Sequence, residues 1–243
     1  MGKDRPGRHA PQRGVLIAEP RGAFFGRRKG HRLRPRQAEL LDKLLPRLAL
    51  DLSTPAPNDL RTLFQQPIED VHLEIGFGGG EHLLAQAQQN PRIGFLGSEP
   101  FINAMAKALA VIEARQIANV RLHFDDAAYL LAWLPTASLG RLDLIYPDPW
   151  PKRRHWKRRF VQDASVAEIA RILRPGAEFR FVTDVPDYAA WTLQRVLRSP
   201  DVVWTAERAD DWRKPWSGFA GTRYEAKATR EGRVPSYFVF RRR

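Results

Sequence analysis

The ten residues Val71-His72-Leu73-Glu74-Ile75-Gly76-Phe77-Gly78-Gly79-Gly80 constrain the fold of this chain more than any other segment. An apolar run breaks into a glycine turn and leads into a helical stretch, Glu81 to Gln89, which is how a nucleotide-binding βαβ unit begins. A dinucleotide site requires G-x-G-x-x-G with a pyrophosphate on the helix N-terminus. Here the third position of that pattern is Glu81, and Glu74 precedes the glycines, so two carboxylates would repel a pyrophosphate. The pattern present is E-x-G-x-G-x-G, through Glu74, Gly76, Gly78 and Gly80. Downstream, strand-like and helix-like stretches alternate: strand Arg92 to Ser98, helix Phe101 to Ala118, strand Val120 to Phe124, helix Ala127 to Leu134, strand Arg141 to Tyr146, helix Arg158 to Leu173, strand Ala177 to Thr183, helix Val185 to Leu197. Alternation predicts an α/β fold, a mostly parallel sheet with helices on both faces. Two more strands are expected near Val202 to Glu207 and Tyr237 to Arg241, around an irregular stretch rich in Gly, Trp and Arg.

Acids end the strands of this pattern. Glu99 follows the second strand at the spacing of a ribose-binding carboxylate. Asp126 follows the third, where it suits either an adenine amino group or the N-cap of the helix from Ala127. Asp148 follows the fourth and opens Asp148-Pro149-Trp150-Pro151-Lys152-Arg153-Arg154-His155-Trp156-Lys157-Arg158-Arg159, a carboxylate beside a dense cation cluster interleaved with two tryptophans. Cations neutralise phosphates and indoles stack on unpaired bases, so the cluster suits a polyanion and the lone acid suits chemistry. A solvated basic turn is the alternative for the cations.

A formal charge of +13 points to nucleic acid as the leading partner, with an anionic membrane surface second. No run is apolar enough to span a bilayer, and a soluble cytoplasmic protein is expected. Zero cysteines exclude a Cys nucleophile, a Cys-ligated cluster and disulfides, and six scattered histidines without an H-x-x-x-H pair predict no metal site. Residues 1–36 carry eleven Lys or Arg against two acids, broken by four prolines, and read as a flexible basic arm. Residues 37–70 read as a helix, interrupted at Pro46, and a linker; 71–243 form the main domain.

The glycine turn resembles the S-adenosylmethionine loop of class I methyltransferases. With Pro147-Asp148-Pro149-Trp150 and its basic tail, Thr183-Asp184 with Tyr188, and Thr222-Arg223-Tyr224-Glu225, the chain resembles the bacterial tRNA (guanine-N7)-methyltransferases that modify guanine 46 in the variable loop. The resemblance runs from about Phe24 to Arg241, includes Phe25-Gly26-Arg27-Arg28-Lys29-Gly30, and departs at Pro100 and in the tail Phe238-Val239-Phe240-Arg241. It implies a class I, Rossmann-like fold with a seven-stranded sheet whose last hairpin strand is antiparallel, and S-adenosylmethionine as methyl donor. It also implies Glu74, Gly76, Gly78, Glu99, Asp126 and Asp148 as cofactor-binding residues, with Asp148 catalytic. Lys152, Asp184, Thr222, Arg223, Tyr224 and Glu225 are implied as substrate contacts. A capping role competes at two of these sites, because Asp184 and Asp187 flank a helix start and Thr222-x-x-Glu225 has the form of a capping box. The implied partner is tRNA, with no membrane and no metal; a monomer and a homodimer both remain open. An amino-group RNA methyltransferase and a non-catalytic RNA-binding protein of the same fold are the alternatives.

Overall fold

The computed structural model describes residues 25–243. Seven strands, β1 (Asp70–Ile75), β2 (Ile93–Ser98), β3 (Val120–His123), β4 (Leu139–Ile145), β5 (Leu173–Thr183), β6 (Val202–Trp204) and β7 (Ser236–Arg242), form one sheet in the order β3-β2-β1-β4-β5-β7-β6. β7 runs antiparallel between β5 and β6, and the pairings from β3 to β5 are parallel. Central strands of such a sheet are covered on both faces, so their side chains are apolar almost without alternation: Leu73 of β1 stands beside Leu96 of β2 and Leu142 of β4, each about 1% exposed or less.

Helices α3 (Glu81–Gln89) and α4 (Ile102–Arg115) cover one face, joined by α1 (Pro35–Lys43) and α2 (Leu45–Leu48), with Leu40, Leu84, Leu109 and Leu122 in one core. The other face carries α5 (Ala127–Trp133), α6 (Asp163–Ile172) and α7 (Pro186–Val196), with Leu130, Val166, Ile169 and Tyr188 against Leu144 and Phe181. Two short helices, α8 (Asp210–Arg213) and α9 (Arg223–Arg230), lie before β7. Among the described residues no helix is long and apolar enough to cross a membrane.

Several boundaries differ from the sequence expectation for identifiable reasons. The helix expected from Arg158 begins at Asp163, because cations oppose a helix N-terminus whereas Asp163 in the first turn favours it; a capping box between Gln162 and Ser165 fixes the start. Residues Arg153–Arg158 form a 3₁₀ turn instead. β5 starts at Leu173, four residues early, since Leu173 pairs with Leu139 and the register shift that follows absorbs Pro175 and the left-handed Gly176 as a bulge. The break expected at Pro46 falls at Leu44, leaving Pro46 inside the first turn of α2, where its missing N–H costs nothing. Residues 1–24 of the expected arm lie outside the described structure. The rest of it, from Phe25, is tied to α4: the Arg28 carbonyl accepts from Ile102 N–H at 3.1 Å, and Asn103 bonds Gly30 N–H and the His31 carbonyl, both at 2.8 Å.

Candidate active site

Strand order reverses at β1, with β2 on one side and β4 on the other, and open α/β sheets bind ligands beyond the carboxyl ends of the strands at such a point. The glycine turn stands there. Gly76, Gly78 and Gly80 have φ of 70°, 56° and 82°, a region in which a Cβ is strained, and a Cβ built on Gly76 or Gly78 would meet no atom within 4 Å. The turn therefore borders open space. Glu99 anchors it, its carboxylate accepting from Gly78 N–H at 2.8 Å and Phe101 N–H at 2.9 Å. Burial pushes the Glu99 carboxyl up, those two N–H groups pull it back, and neighbouring Asp148 and Glu74 push it further up. Burial likewise raises Asp148, although its side chain keeps access to solvent at the cleft wall. A cleft of partly desolvated carboxylates attracts a cation and rejects a phosphate.

Asp148 sits on a strained loop. Tyr146 and Trp150 on either side of it have φ of 50° and 42°, a left-handed backbone that costs a bulky residue about 1–3 kcal/mol and that clusters at functional sites. Beyond it Lys152, Arg153, Arg154 and Lys157 are exposed, whereas the last two cations of the run are not. Arg159 is 1% exposed, donates Nε to the Pro149 carbonyl at 2.8 Å, pairs with Asp187, and lies 4.9–5.0 Å from the rings of Trp156, Tyr188 and Trp191. Arg158 is sandwiched between Trp150 at 5.0 Å and Phe25 at 5.2 Å. These two arginines hold the Asp148 loop to the sheet and to the docked N-terminal segment. Arg159→Ala is expected to lower stability in urea unfolding by about 2 kcal/mol while leaving polyanion binding at its wild-type level, the loss coming from the aromatic cage and two charged hydrogen bonds. Unchanged stability with weakened polyanion binding would place Arg159 among the surface cations instead.

The other sequence-predicted residues fall into two groups. Asp126 is buried and caps α5, accepting from Ala128 N–H at 3.0 Å, and neighbouring Asp125 pairs with Arg28 at 2.8 Å. Glu74 is 4% exposed under the turn and meets His82 Nδ1 at 2.8 Å; burial pushes Glu74 up, and Glu74 in turn raises His82 against its own burial. Asp143 completes a buried triad whose ligating atoms all lie within 4.8 Å, but Arg141 Nε donates to Asp143 at 3.0 Å, the arrangement of a hydrogen-bonded network. Nothing in the sequence spacing of Glu74, His82 and Asp143 announces it. The Arg141 guanidinium also reaches Gln86, whose amide donates to the Gly218 carbonyl at 2.7 Å, tying α3 to the glycine-rich segment before α9.

At the ends of β4, β5 and β7 a second cluster gathers. Thr222 and Glu225 form the capping box of α9, with Glu225 N–H to Thr222 Oγ1 at 3.0 Å, and Glu225 also accepts from the Tyr237 hydroxyl. Asp184 does not cap α7; its buried carboxylate pairs with Arg233. Tyr224 packs on Tyr146 at 5.0 Å, and Arg223 reaches across to Glu81 at the start of α3, its guanidinium against Gly79. Lys152 lies on the exposed basic stretch. Tyr146, Tyr237 and Arg233 were not singled out from sequence; only Tyr146, two residues before Asp148 at a strand end, carried a local signal.

Residues 68–236 match the family model described as "Putative methyltransferase". The chain is 64% identical over 221 residues to the tRNA (guanine-N(7)-)-methyltransferase of Rhodopseudomonas palustris (strain BisB5), covering 91% of this chain and 86% of that one. It is 63% identical over 220 residues to the protein of the same name from Bradyrhizobium diazoefficiens, covering 90% and 93%. Among solved structures it resembles the 16S rRNA methyltransferase KamB with a TM-score of 0.52 and 16% identity over 78% of this chain and 94% of that one, a likeness of fold alone.

Proposed function

The chain belongs to the tRNA (guanine-N7-)-methyltransferase family, and we propose from that premise that it methylates N7 of guanine 46 in the variable loop of tRNA, with S-adenosylmethionine as donor, in the cytoplasm. One observation carries the reading: the buried carboxylate Glu99 and the solvent-accessible carboxylate Asp148 lie close enough for Asp148 to raise Glu99, beside the exposed cations Lys152, Arg153, Arg154 and Lys157. The acids suit a sulfonium cofactor, and the cations suit an RNA backbone.

The residues present fit S-adenosylmethionine. Open space over Gly76 and Gly78 leaves room for it, Glu99 retains acceptor capacity for ribose hydroxyls, Asp126 is assigned to the adenine end, and Glu74 lies buried beneath the turn, paired with His82. When bound, the cofactor supplies an electrophilic methyl group on a positively charged sulfur.

Guanine N7 has an in-plane lone pair and no proton at neutral pH, so no base is needed and positioning does most of the work. The target base must be turned out of its stack to expose N7. Tyr224, packed on Tyr146, offers it an aromatic face, with Thr222, Arg223 and Glu225 on the same helix start as substrate contacts and Trp150 beside the catalytic loop. Asp184 accepts from the N1 and N2 donors of guanine, which adenine lacks. Asp148 stabilises the positive charge that moves into the purine as the bond to N7 forms. Lys152 holds the target nucleotide near Asp148.

Incubation with unmodified tRNA and labelled cofactor, followed by nucleoside identification, tests the reading: N7-methylguanosine at position 46 is expected, and a methyl group on an exocyclic amine would overturn it. The cations make a separate prediction. Replacing Arg153 and Lys157 together by Ala should weaken binding to all tRNAs alike and flatten the plot of log K against log salt by somewhat under one per lost phosphate contact. Unchanged slopes in filter binding would mean that the RNA is held elsewhere.

A further inference from the structure

Within the cluster at the ends of β4, β5 and β7, the two acids differ in how firmly they are held. Glu225 is committed to its helix, closing the capping box with Thr222 while accepting from Tyr237. Asp184 has no such backbone commitment. Its side chain is 3% exposed and its charge is met by Arg233, a residue 49 positions away that retains 31% of its side-chain exposure.

The partner itself is informative. The Arg233 guanidinium stands 5.5 Å from the Tyr224 ring centroid, on the ring that packs against Tyr146, and gives its other terminal nitrogen to Glu231 at 2.6 Å. A guanidinium presents parallel N–H groups on one carbon. The Watson–Crick edge of guanine presents the same fragment: N1–H and N2–H sit on C2 as a guanidine closed into a ring. A planar guanidine on a carboxylate beside an aromatic ring is thus already in place, supplied by the protein.

We propose that Arg233 is a displaceable occupant of the guanine subsite: Asp184 exchanges its guanidinium for the N1–H and N2–H edge of the incoming base, and Glu231 retains the displaced arginine. This rests on the reading of Asp184 as the guanine acceptor. The exchange delays entry and keeps the buried carboxylate paired until a base with matching donors arrives. Guanine replaces the lost donors, whereas adenine presents an acceptor at N1 and leaves the buried Asp184 charge unmet, so the choice between bases lies in the donor edge, while the cost of releasing Arg233 is the same for either base. The cost falls on affinity, because the apparent dissociation constant is the intrinsic one divided by the fraction of molecules with Asp184 open.

The test uses the full chain with saturating S-adenosylmethionine, unmodified tRNA, and methylguanidine as a small mimic of the arginine head. Arg233→Ala is expected to lower the KM for tRNA by roughly three- to tenfold, the range for a subsite open a third to a tenth of the time. It should also make transfer sensitive to millimolar methylguanidine, competitively with tRNA, at concentrations that leave the wild type unaffected. Arg233→Gln should fall between the two. A raised KM, or insensitivity to methylguanidine, in a variant that binds cofactor normally by calorimetry would overturn the proposal. Loss of cofactor binding in both Arg233 variants would also overturn it, by showing an obligatory counter-ion. Asp184→Ala separates the layers. Wild-type KM and rate in that variant would remove Asp184 as the guanine acceptor, whereas a strong defect there together with a methylguanidine-insensitive Arg233→Ala would remove only the role given to Arg233.

Discussion

Asp148→Asn is expected to lower the single-turnover rate of methyl transfer by about 10²–10³-fold, the loss of roughly 2.7–4 kcal/mol that follows removal of one preorganised electrostatic group from beside the reacting atoms. The asparagine keeps the shape of the side chain, so the loop between Tyr146 and Trp150 keeps its left-handed turns and tRNA binding should change little, while cofactor binding weakens with the loss of one cleft charge. The pH dependence gives a second readout. Burial raises the Asp148 carboxyl above its ordinary value, and the charged form is the one that stabilises a developing cation. The rate in the wild type should therefore fall as pH drops through that raised value and level off above it, while Asp148→Asn should be flat over the same window. Measurements at saturating cofactor keep the titration of Glu99 out of the profile. A near wild-type rate in Asp148→Asn would mean that the residue only shapes its loop.

Glu99→Ala should weaken S-adenosylmethionine binding by roughly 10–100-fold, about 1.5–3 kcal/mol, as expected when a charged acceptor is removed from a buried site. The structure gives the side chain two duties that the truncation removes together. Its oxygens hold Gly78 N–H and Phe101 N–H, so the glycine turn loses its tie to the start of α4 at the same time as the ribose loses its acceptor. Calorimetry on Glu99→Gln helps to separate them, since the amide oxygen can keep one backbone bond but the amide nitrogen opposes the other N–H. Equal cofactor affinity in Glu99→Ala would remove the residue from the binding site.

The glycine turn, the strand before it and the helix after it were legible because each is written in consecutive residues: positive φ at Gly76, Gly78 and Gly80 is a demand that a sequence displays directly. The acids at strand ends were legible for the same reason, one per βα junction. The region between β6 and β7 was not. Its two helices are short, with four residues in α8 and eight in α9, and their hydrophobic periodicity is too brief to stand out from a loop; the capping box at Thr222 and Glu225 was the one local mark.

By itself the sequence determined a mostly parallel α/β sheet, an acid-lined glycine turn and a basic segment beside Asp148, since backbone preference, hydrophobic period and charge are properties of neighbouring residues. Only the tertiary structure decided which charges are free to act. Arg159 and Lys157 look alike in the chain, yet one is enclosed by Trp156, Tyr188 and Trp191 while the other faces solvent. Asp184 and Glu225 look alike as candidate acceptors, yet one caps a helix and the other meets an arginine that arrives on the segment leading into β7. The second choice depends on the insertion of β7 between β5 and β6, a pairing between residues more than thirty positions apart. Its free energy comes from burying whole faces such as Phe179, Phe181, Phe238 and Phe240, so no local stretch of sequence carries it.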